Sequence, residues 1–333
     1  MRIYLAESLP KVPKIEFLSL KHGLFQSPIE DNLLQIVEKI NQCEAIMVPH
    51  DAYYFHKNRD YINYLNKLSR FKMIIYSDRG DFPKHTRITN SVAIRVAINP
   101  GEPITNKVVV PYNIEPLDFL PIRRLTKGPK ISFIGYVPHI SPNRFVKTLQ
   151  QSPLHPILGN GAVVRKVSLN RLKNSKFDTT VIERQSYGAH PGTNNSIDLS
   201  RSEYLRTFAD SDFVLTPRGD SNQSARFYEA LSSGRTPILP DTMIVLPKPI
   251  GRNLPVRVFS ALTSVFSVKQ LEKSVEKRWN QFLANEHYVQ YQSEMKYYFQ
   301  HQLQFNNYIR TLFGLDLKQF SEMASRSAQD RDK

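Results

Sequence analysis

Cysteine is almost absent from this chain: Cys43 is the only one among 333 residues. No intramolecular disulfide can form, and with apolar neighbours around the lone thiol the expected compartment is the cytosol. No run of about 18 apolar residues occurs, so no segment reads as a membrane-spanning helix. Met1 to Glu7 starts directly as a strand, without the apolar core of a signal peptide. The glycine patterns of the common phosphate-binding loops, G-x-x-x-x-G-K-[ST] and G-x-G-x-x-G, are missing. Zinc-ligand spacings, the signatures of RRM and KH modules, dense basic runs and internal repeats are missing too.

Against these absences stands an ordinary globular composition. The chain is 41% hydrophobic and 23% charged, which excludes a disordered or fibrous protein. Its length exceeds one ordinary core and suits two domains of roughly 150 residues each. Lysine and arginine number 45 against 30 acids, a surplus of 15. That balance attracts nucleic acid, anionic lipid headgroups or phosphorylated substrates, and the count alone does not choose among them.

Up to about residue 125, short apolar runs alternate with helical segments in the manner of a parallel α/β domain. Candidate strands are Ile3 to Leu5, Ile15 to Leu18, Ala45 to Val48, Lys72 to Tyr76, Val92 to Val96 and Lys107 to Val110. Helices are expected at Asp31 to Asn41, with Ile29, Leu33, Ile36, Val37 and Ile40 on its core face, and at Asn58 to Ser69. Ligands of such sheets gather outside the carboxyl ends of the strands. Two ends carry chemistry there: Pro49-His50-Asp51, and Ser77-Asp78-Arg79-Gly80-Asp81. Asp51 suits a helix cap and Asp78 a turn with Gly80 as readily as either suits a general base.

A proline-rich connector, Pro111 to Pro121, marks the boundary to a second domain that opens with the strand Lys130 to Tyr136 and a helix at Arg144 to Leu149. Gly135 is a phosphate-side turn or the turn out of that strand. Val181 to Arg184 reads as a strand, residues 186–202 as a loop, and Arg201 to Ala209 as a helix packed through Tyr204, Leu205 and Phe208. Beyond Pro249 the pattern becomes helical, with Leu271, Val275, Trp279 and Phe282 on one stripe and Tyr288, Tyr291, Met295, Phe299 and Leu303 on another. Aromatics at helical spacing invite a sugar-stacking role, and core packing is the expected one. The tail from Ser321 reads as polar and frayed.

The stretch richest in chemistry runs from Phe213 to Leu239. An apolar run, Phe213 to Thr216, leads into a polar loop, then a helix closed by Gly234, then a second apolar run. A helix start of this kind presents free N–H groups and a partial positive charge, which favour phosphate. Gly219 permits close backbone approach, and Arg218 and Arg226 bracket the turn with guanidinium groups. Glu229, one turn beyond Arg226, can accept hydrogen bonds from ribose hydroxyls, or be half of a surface ion pair.

Taken whole, Arg218-Gly219, Ser224, Arg226, Phe227, Tyr228, Glu229, Gly234-Arg235, Pro237, Asp241 and Leu246-Pro247 resembles the signature block of exostosin-type glycosyltransferases. Arg184 matches the arginine that ends the preceding strand in that family. The resemblance covers the chain in outline from Glu44 to about Leu312, with its specific motifs between Arg184 and Pro247. Thr236 stands where the family more often shows isoleucine, and Leu239-Pro240 where a further apolar pair is usual. It implies a GT-B fold: two Rossmann-like α/β domains facing a central cleft, with C-terminal helices crossing back. The implied domains are residues 1–125 on the acceptor side, 126–285 for the nucleotide sugar, and 286–320 returning to the first domain, with 321–333 as a polar tail.

The implied activity is inverting, metal-independent transfer of a sugar from a nucleotide diphosphate donor, UDP-linked, to a glycan or lipid-linked acceptor. Arg184, Arg218, Gly219, Ser224, Arg226, Glu229 and Asp241 are the implied donor-binding residues, and His50 and Asp51 the candidates for the base. No cofactor is expected beyond the donor itself. Two Asp-x-Asp pairs occur, Asp210-Ser211-Asp212 before a strand and Asp330-Arg331-Asp332 in the tail; neither lies where a diphosphate would sit. The family's animal and plant members usually carry an N-terminal Golgi anchor, so the start of this sequence implies a bacterial or viral-type cytosolic enzyme, with peripheral contact to an anionic membrane as one outlet for the charge. The remaining readings are a basic nucleic-acid-binding α/β protein and a member that binds the donor without catalysis.

Overall fold

A computed structural model of the chain describes residues 1–10, 31–78, 87–99, 102, 105–137, 160–184, 195–219, 221–248, 256–259, 267–285 and 287–326. The expected strand at Ile15 to Leu18, the expected helix at Arg144 to Leu149, Asp81 and the tail pair Asp330/Asp332 lie outside these residues. The chain forms two compact units. The first comprises Met1–Pro111, Val245–Lys248 and Phe305–Lys333, and the second Tyr112–Ile244 and Pro249–Gln304.

In the first unit the elements are β1 (Arg2–Leu5), β2 (Gln35–Val37), β3 (Ala45–Asp51), α1 (Ala52–Phe55), α2 (Arg59–Leu68), β4 (Met73–Asp78), β5 (Ser91–Arg95) and β6 (Lys107–Val109). They build a parallel sheet in the order β2-β1-β3-β4-β5-β6. Every residue of β3 is buried, as a strand covered on both faces of a parallel sheet requires, and its near-continuous apolar sequence reflects that. Asn58 caps α2 by accepting the N–H of Tyr61 at 3.0 Å, and Tyr61, Leu65 and Leu68 form its buried face.

The helix expected at Asp31 to Asn41 does not form. Asn32 adopts a positive φ of 58°, and Gln35–Val37 pairs with β1 in register Arg2↔Gln35 instead. Leu34 is the buried member of this stretch, and Ile36, expected in the core, is 47% exposed. The helical spacing of the apolar residues was coincidental, because sheet pairing outweighs periodicity over so short a segment.

The second unit holds β7 (Lys130–Tyr136), α3 (Gly161–Lys173), β8 (Asp178–Arg184), α4 (Asn195–Ala209), β9 (Phe213–Leu215), α5 (Ala225–Ser232), β10 (Thr236–Asp241), β11 (Val256–Phe259), α6 (Val268–Asn285), α7 (Tyr288–Tyr298) and a wide helical turn at Phe299–Leu303. Its parallel strands run β11-β10-β9-β7-β8. The segment read as a loop to residue 202 is helical from Asn195. Leu271, Val275, Trp279 and Phe282 on α6 and Tyr288, Tyr291 and Met295 on α7 are buried, with Phe282 and Tyr291 rings 4.8 Å apart. These aromatics are core.

Two last helices, α8 (Phe305–Gly314) and α9 (Leu317–Arg326), belong to the first unit. Phe305, Tyr308, Ile309, Leu312, Phe313 and Phe320 join Ile3, Met47, Ile75 and Ile94 in one apolar cluster. The chain therefore returns to the sheet where it began. Helix α9 carries regular structure to Arg326, past the point where the tail was expected to fray. Among the described residues no helix is long and apolar enough to cross a membrane.

Candidate functional site

Strand order places the site. The chain leaves β7 to form β8 on one side, then comes back to form β9 on the other. The segments leaving β7 and β9 therefore diverge, and the carboxyl ends of these two neighbours flank a switch point, where open α/β sheets take their ligands. Gly135 and Tyr136 end β7 there, and Thr216 to Gly219 follow β9. Arg165 of α3 ties the two ends together. Its Nε donates to the carbonyl of Arg218 at 3.0 Å and its Nη1 to the carbonyl of Tyr136 at 2.8 Å.

Two helix starts reach this edge, and their capping separates them. At α3, the side chain of Asn160 accepts the N–H groups of Ala162 at 3.1 Å and Val163 at 3.2 Å. Gly161 lies so close to the loop that an added Cβ would stand 2.0 Å from the carbonyl oxygen of Gly219. That start is closed. At α5, Ser224 holds the cap position with extended φ and ψ, and its side chain makes no capping bond. Among the described residues this leaves the N–H groups of Ala225 and Arg226 without a partner, while that of Phe227 is bonded to the Ser224 carbonyl at 3.0 Å.

Arg226 stands on the first turn of α5. Its guanidinium lies over the Phe133 ring, 4.5 Å from the centroid, and its Nε is buried without a hydrogen-bond partner. Burial pushes its pKa below the ordinary arginine value, against the opposing pull of Tyr204 and Glu229. Gly135 makes the room: an added Cβ would fall 2.0 Å from Nη2 of Arg226. Gly135 is thus inside β7, at φ 155°, a conformation that favours glycine, and its lack of a side chain makes room for the guanidinium. It is neither of the two turns expected for it.

Glu229 follows one turn later on the same side as Arg226. The Tyr204 hydroxyl donates to its Oε2, and Nη1 of Arg201 is 4.0 Å from its Oε1. Arg201 is anchored in turn by Glu115 at 2.9 Å. Burial raises the Glu229 pKa, opposed by the Tyr204 hydrogen bond and by the charges of Arg226 and Arg201. Oε1 has no hydrogen bond closer than that arginine, so the carboxylate keeps acceptor capacity.

The other expected donor-site residues divide. Arg218 is buried in the loop after β9, with its carbonyl taken by Arg165. The N–H of Gly219 is committed to the carbonyl of Gln223 at 2.8 Å, so what Gly219 contributes is the tight approach of α3. Arg184 ends β8 and donates to the Ser200 carbonyl at 2.6 Å and to Glu203 at 3.2 Å, fastening α4 to the sheet. Asp241 ends β10, with its side chain outside the described residues.

The candidate bases sit at the carboxyl end of β3 in the first unit. His50 is fully buried, its Nε2 accepting the N–H of Leu9 at 2.8 Å. Asp51 caps α1, one oxygen accepting the N–H of Tyr53 at 3.0 Å and the other the Ser77 hydroxyl at 2.8 Å. Asp78, ending β4, is paired with Arg95 at 3.4 Å.

Asp212 is buried and fully employed. It accepts from Arg123 Nε at 2.8 Å, from the Lys130 N–H at 2.8 Å and from the Tyr288 hydroxyl at 2.6 Å. Sequence reasoning missed Arg165 and the capping contrast between α3 and α5. The Asn160-Gly161 pair ahead of an apolar helix was the available signal for the cap. Arg235, named in the family block but given no role, is fully buried and donates to the carbonyls of Phe208, Ser233, Pro121 and Ala209 and to Gln292.

Residues 161–309 match the family model of the RXYLT1 C-terminal domain. The matched stretch contains α3, Arg184, Tyr204, Arg218, Arg226 and Glu229. No curated protein matches the chain. Among solved structures it is similar to the catalytic domain of starch synthase IV from Arabidopsis thaliana bound to ADP and acarbose, at 9% identity and TM-score 0.38, over 86% of this chain and 73% of that one. It is similar also to a UDP-N-acetylglucosamine 2-epimerase from Listeria monocytogenes so described, at 9% identity and TM-score 0.30, over 93% and 94% of the two chains. A third is TarM, at 13% identity and TM-score 0.27, over 81% of this chain and 57% of TarM.

Proposed function

We propose that this chain is a GT-B-type glycosyltransferase that binds a nucleotide diphosphate sugar, UDP-linked, at the uncapped start of α5 and transfers the sugar with inversion to a glycan or lipid-linked acceptor. One observation carries the reading. Arg226 presents a buried Nε without a partner beside the unbonded N–H groups of Ala225 and Arg226, with a carboxylate of spare acceptor capacity one turn away. That combination suits a diphosphate followed by a ribose. The match of residues 161–309 to a glycosyltransferase-related domain supports it.

The chemistry follows from charge. As the glycosidic bond breaks, negative charge grows on the leaving diphosphate, and a fixed guanidinium with oriented N–H groups stabilises it without reorganisation. Arg226 and the α5 start supply this, so transfer proceeds without a metal ion. Arg218, Gly219 and Ser224 shape the loop, and Glu229 grips the ribose hydroxyls.

Calorimetric titration with UDP, repeated with excess EDTA, tests the donor site. Saturable binding that survives EDTA is expected, and no binding of UDP or of any other nucleoside diphosphate would sink the reading. A second reading is a member that binds the donor without a base, favoured by the internal bonds that occupy His50 and Asp51. Asp51→Asn keeps the cap and removes the basicity. A fall in transfer or donor hydrolysis of about 100-fold or more makes Asp51 the base; unchanged turnover assigns it to the cap.

A further inference from the structure

Strands β1, β3, β4 and β5 run parallel, so their first residues, Arg2, Ala45, Met73 and Ser91, share the edge of the sheet opposite to the one where ligands gather. The segments that enter the strands at this edge are basic. Arg2, Lys39, Lys67, Arg70 and Arg87 are exposed and Lys72 is half-buried. Against these six stand Glu38 and Glu44, the latter paired with Arg2 at 3.6 Å. Asp31, entering β2, is neutralised by Arg310. Among the described residues the edge therefore keeps a local positive surplus.

In the middle of the cations stands Phe71. The turn from α2 to β4 holds it out between Arg70 and Lys72 with 71% of its surface exposed. The backbone fixes that turn through the N–H of Phe71 on the Leu68 carbonyl at 3.0 Å, and Ser69 is locked to Thr89 by a 2.7 Å hydroxyl contact. A large aromatic ring exposed to water among lysines and arginines suits a boundary that is anionic outside and apolar within. A polynucleotide would satisfy the cations, but Phe71 offers it one stacking platform where binders of single strands present a series along a groove.

We propose that this amino edge docks on an anionic lipid bilayer, Phe71 entering the boundary between headgroups and acyl chains while Lys67, Arg70 and Lys72 meet the headgroups. The opposite edge stays clear for ligands. The inference is independent of the donor reading, since none of these residues belongs to the second unit.

Co-sedimentation of the full chain with vesicles tests it, using phosphatidylcholine alone and phosphatidylcholine with about 30% phosphatidylserine. Binding to the anionic vesicles at least about tenfold stronger than to the neutral ones is expected, weakening as salt is added. Lys67→Glu/Arg70→Glu and, separately, Phe71→Ser each lower it by about tenfold at unchanged thermal midpoint, because all three side chains are exposed. Equal binding to both vesicle types, or both variants binding as wild type does, overturns the proposal. So does a polynucleotide that displaces the vesicles and binds Phe71→Ser as tightly as wild type.

Discussion

Gly135→Ala is the sharpest perturbation of the donor site, since it adds one methyl group and removes no functional side chain. The added Cβ would lie 2.0 Å from Nη2 and 3.1 Å from Cζ of Arg226, while the nearest atom of Phe133 is 3.8 Å away. Something must move, and the guanidinium, at the end of a flexible chain, is the part that can. The residue would also be held at φ 155°, which costs an alanine about 1–3 kcal/mol. Removing Arg226 from a diphosphate forfeits hydrogen bonds to a charged group worth about 1.5–3 kcal/mol, or roughly 10- to 150-fold in affinity. Calorimetry with UDP on Gly135→Ala, Arg226→Ala and the double variant separates the two costs. The single variants are expected to lose similar affinity and the double to lose little more, because both remove one interaction. A folded Gly135→Ala that binds UDP as wild type does, or losses that simply add, would refute the idea that this glycine exists to house the arginine.

Glu229→Ala is expected to weaken UDP by about tenfold and to erase any preference for UDP over its 2′-deoxy analogue, with Tyr204→Phe giving a smaller loss of the same preference, since the tyrosine hydroxyl orients the carboxylate. Competition binding with the two nucleotides checks both. Arg235→Met strips hydrogen bonds from four carbonyls and Gln292, and urea unfolding should show a loss of about 3 kcal/mol or more, while UDP affinity of the folded fraction stays put. Lys107, buried beside Glu102 and Arg95, has its pKa lowered by burial to about 8. A lysine depressed in the folded state binds fewer protons there than in the unfolded chain, so stability should rise with pH above about 8, by roughly 2 kcal/mol by pH 10. Beyond that the buried tyrosines Tyr76 and Tyr288, whose pKa values burial raises, reverse the trend. Denaturant melts across this range check the sign, and Lys107→Met should flatten the rise.

Much of the scaffold was legible residue by residue. Ala45 to Val48, Lys72 to Tyr76 and Lys130 to Tyr136 read as strands because fully covered parallel strands are near-continuous apolar runs, and helix α2 read correctly because Asn58 and the Tyr61, Leu65, Leu68 stripe obey local rules. The helix α5 and its closing Gly234, at φ 74°, were visible for the same reason. Where local signals competed, reading failed. Residues 31–41 carry a helical spacing that pairing with β1 overrides, and a Ser, Asn and Thr-rich stretch hid the start of α4 at Asn195.

The sequence by itself determined two parallel α/β units, the strand–loop–helix unit around Arg226 and Glu229, and a basic surplus, because each is written in neighbours along the chain. Only the tertiary structure decided which helix start is open, why Gly135 must be glycine, that Asp212 and Arg235 are buried anchors, and that the exposed Phe71 stands on a cationic edge. Apart from the Asn160 cap and the placing of Phe71 between Arg70 and Lys72, which are local, those facts join residues far apart in the chain, such as Gly135 with Arg226, Asp212 with Lys130 and Arg123, and Arg235 with Pro121. A contact of that range leaves no periodicity and no fixed spacing, so packing alone reveals it.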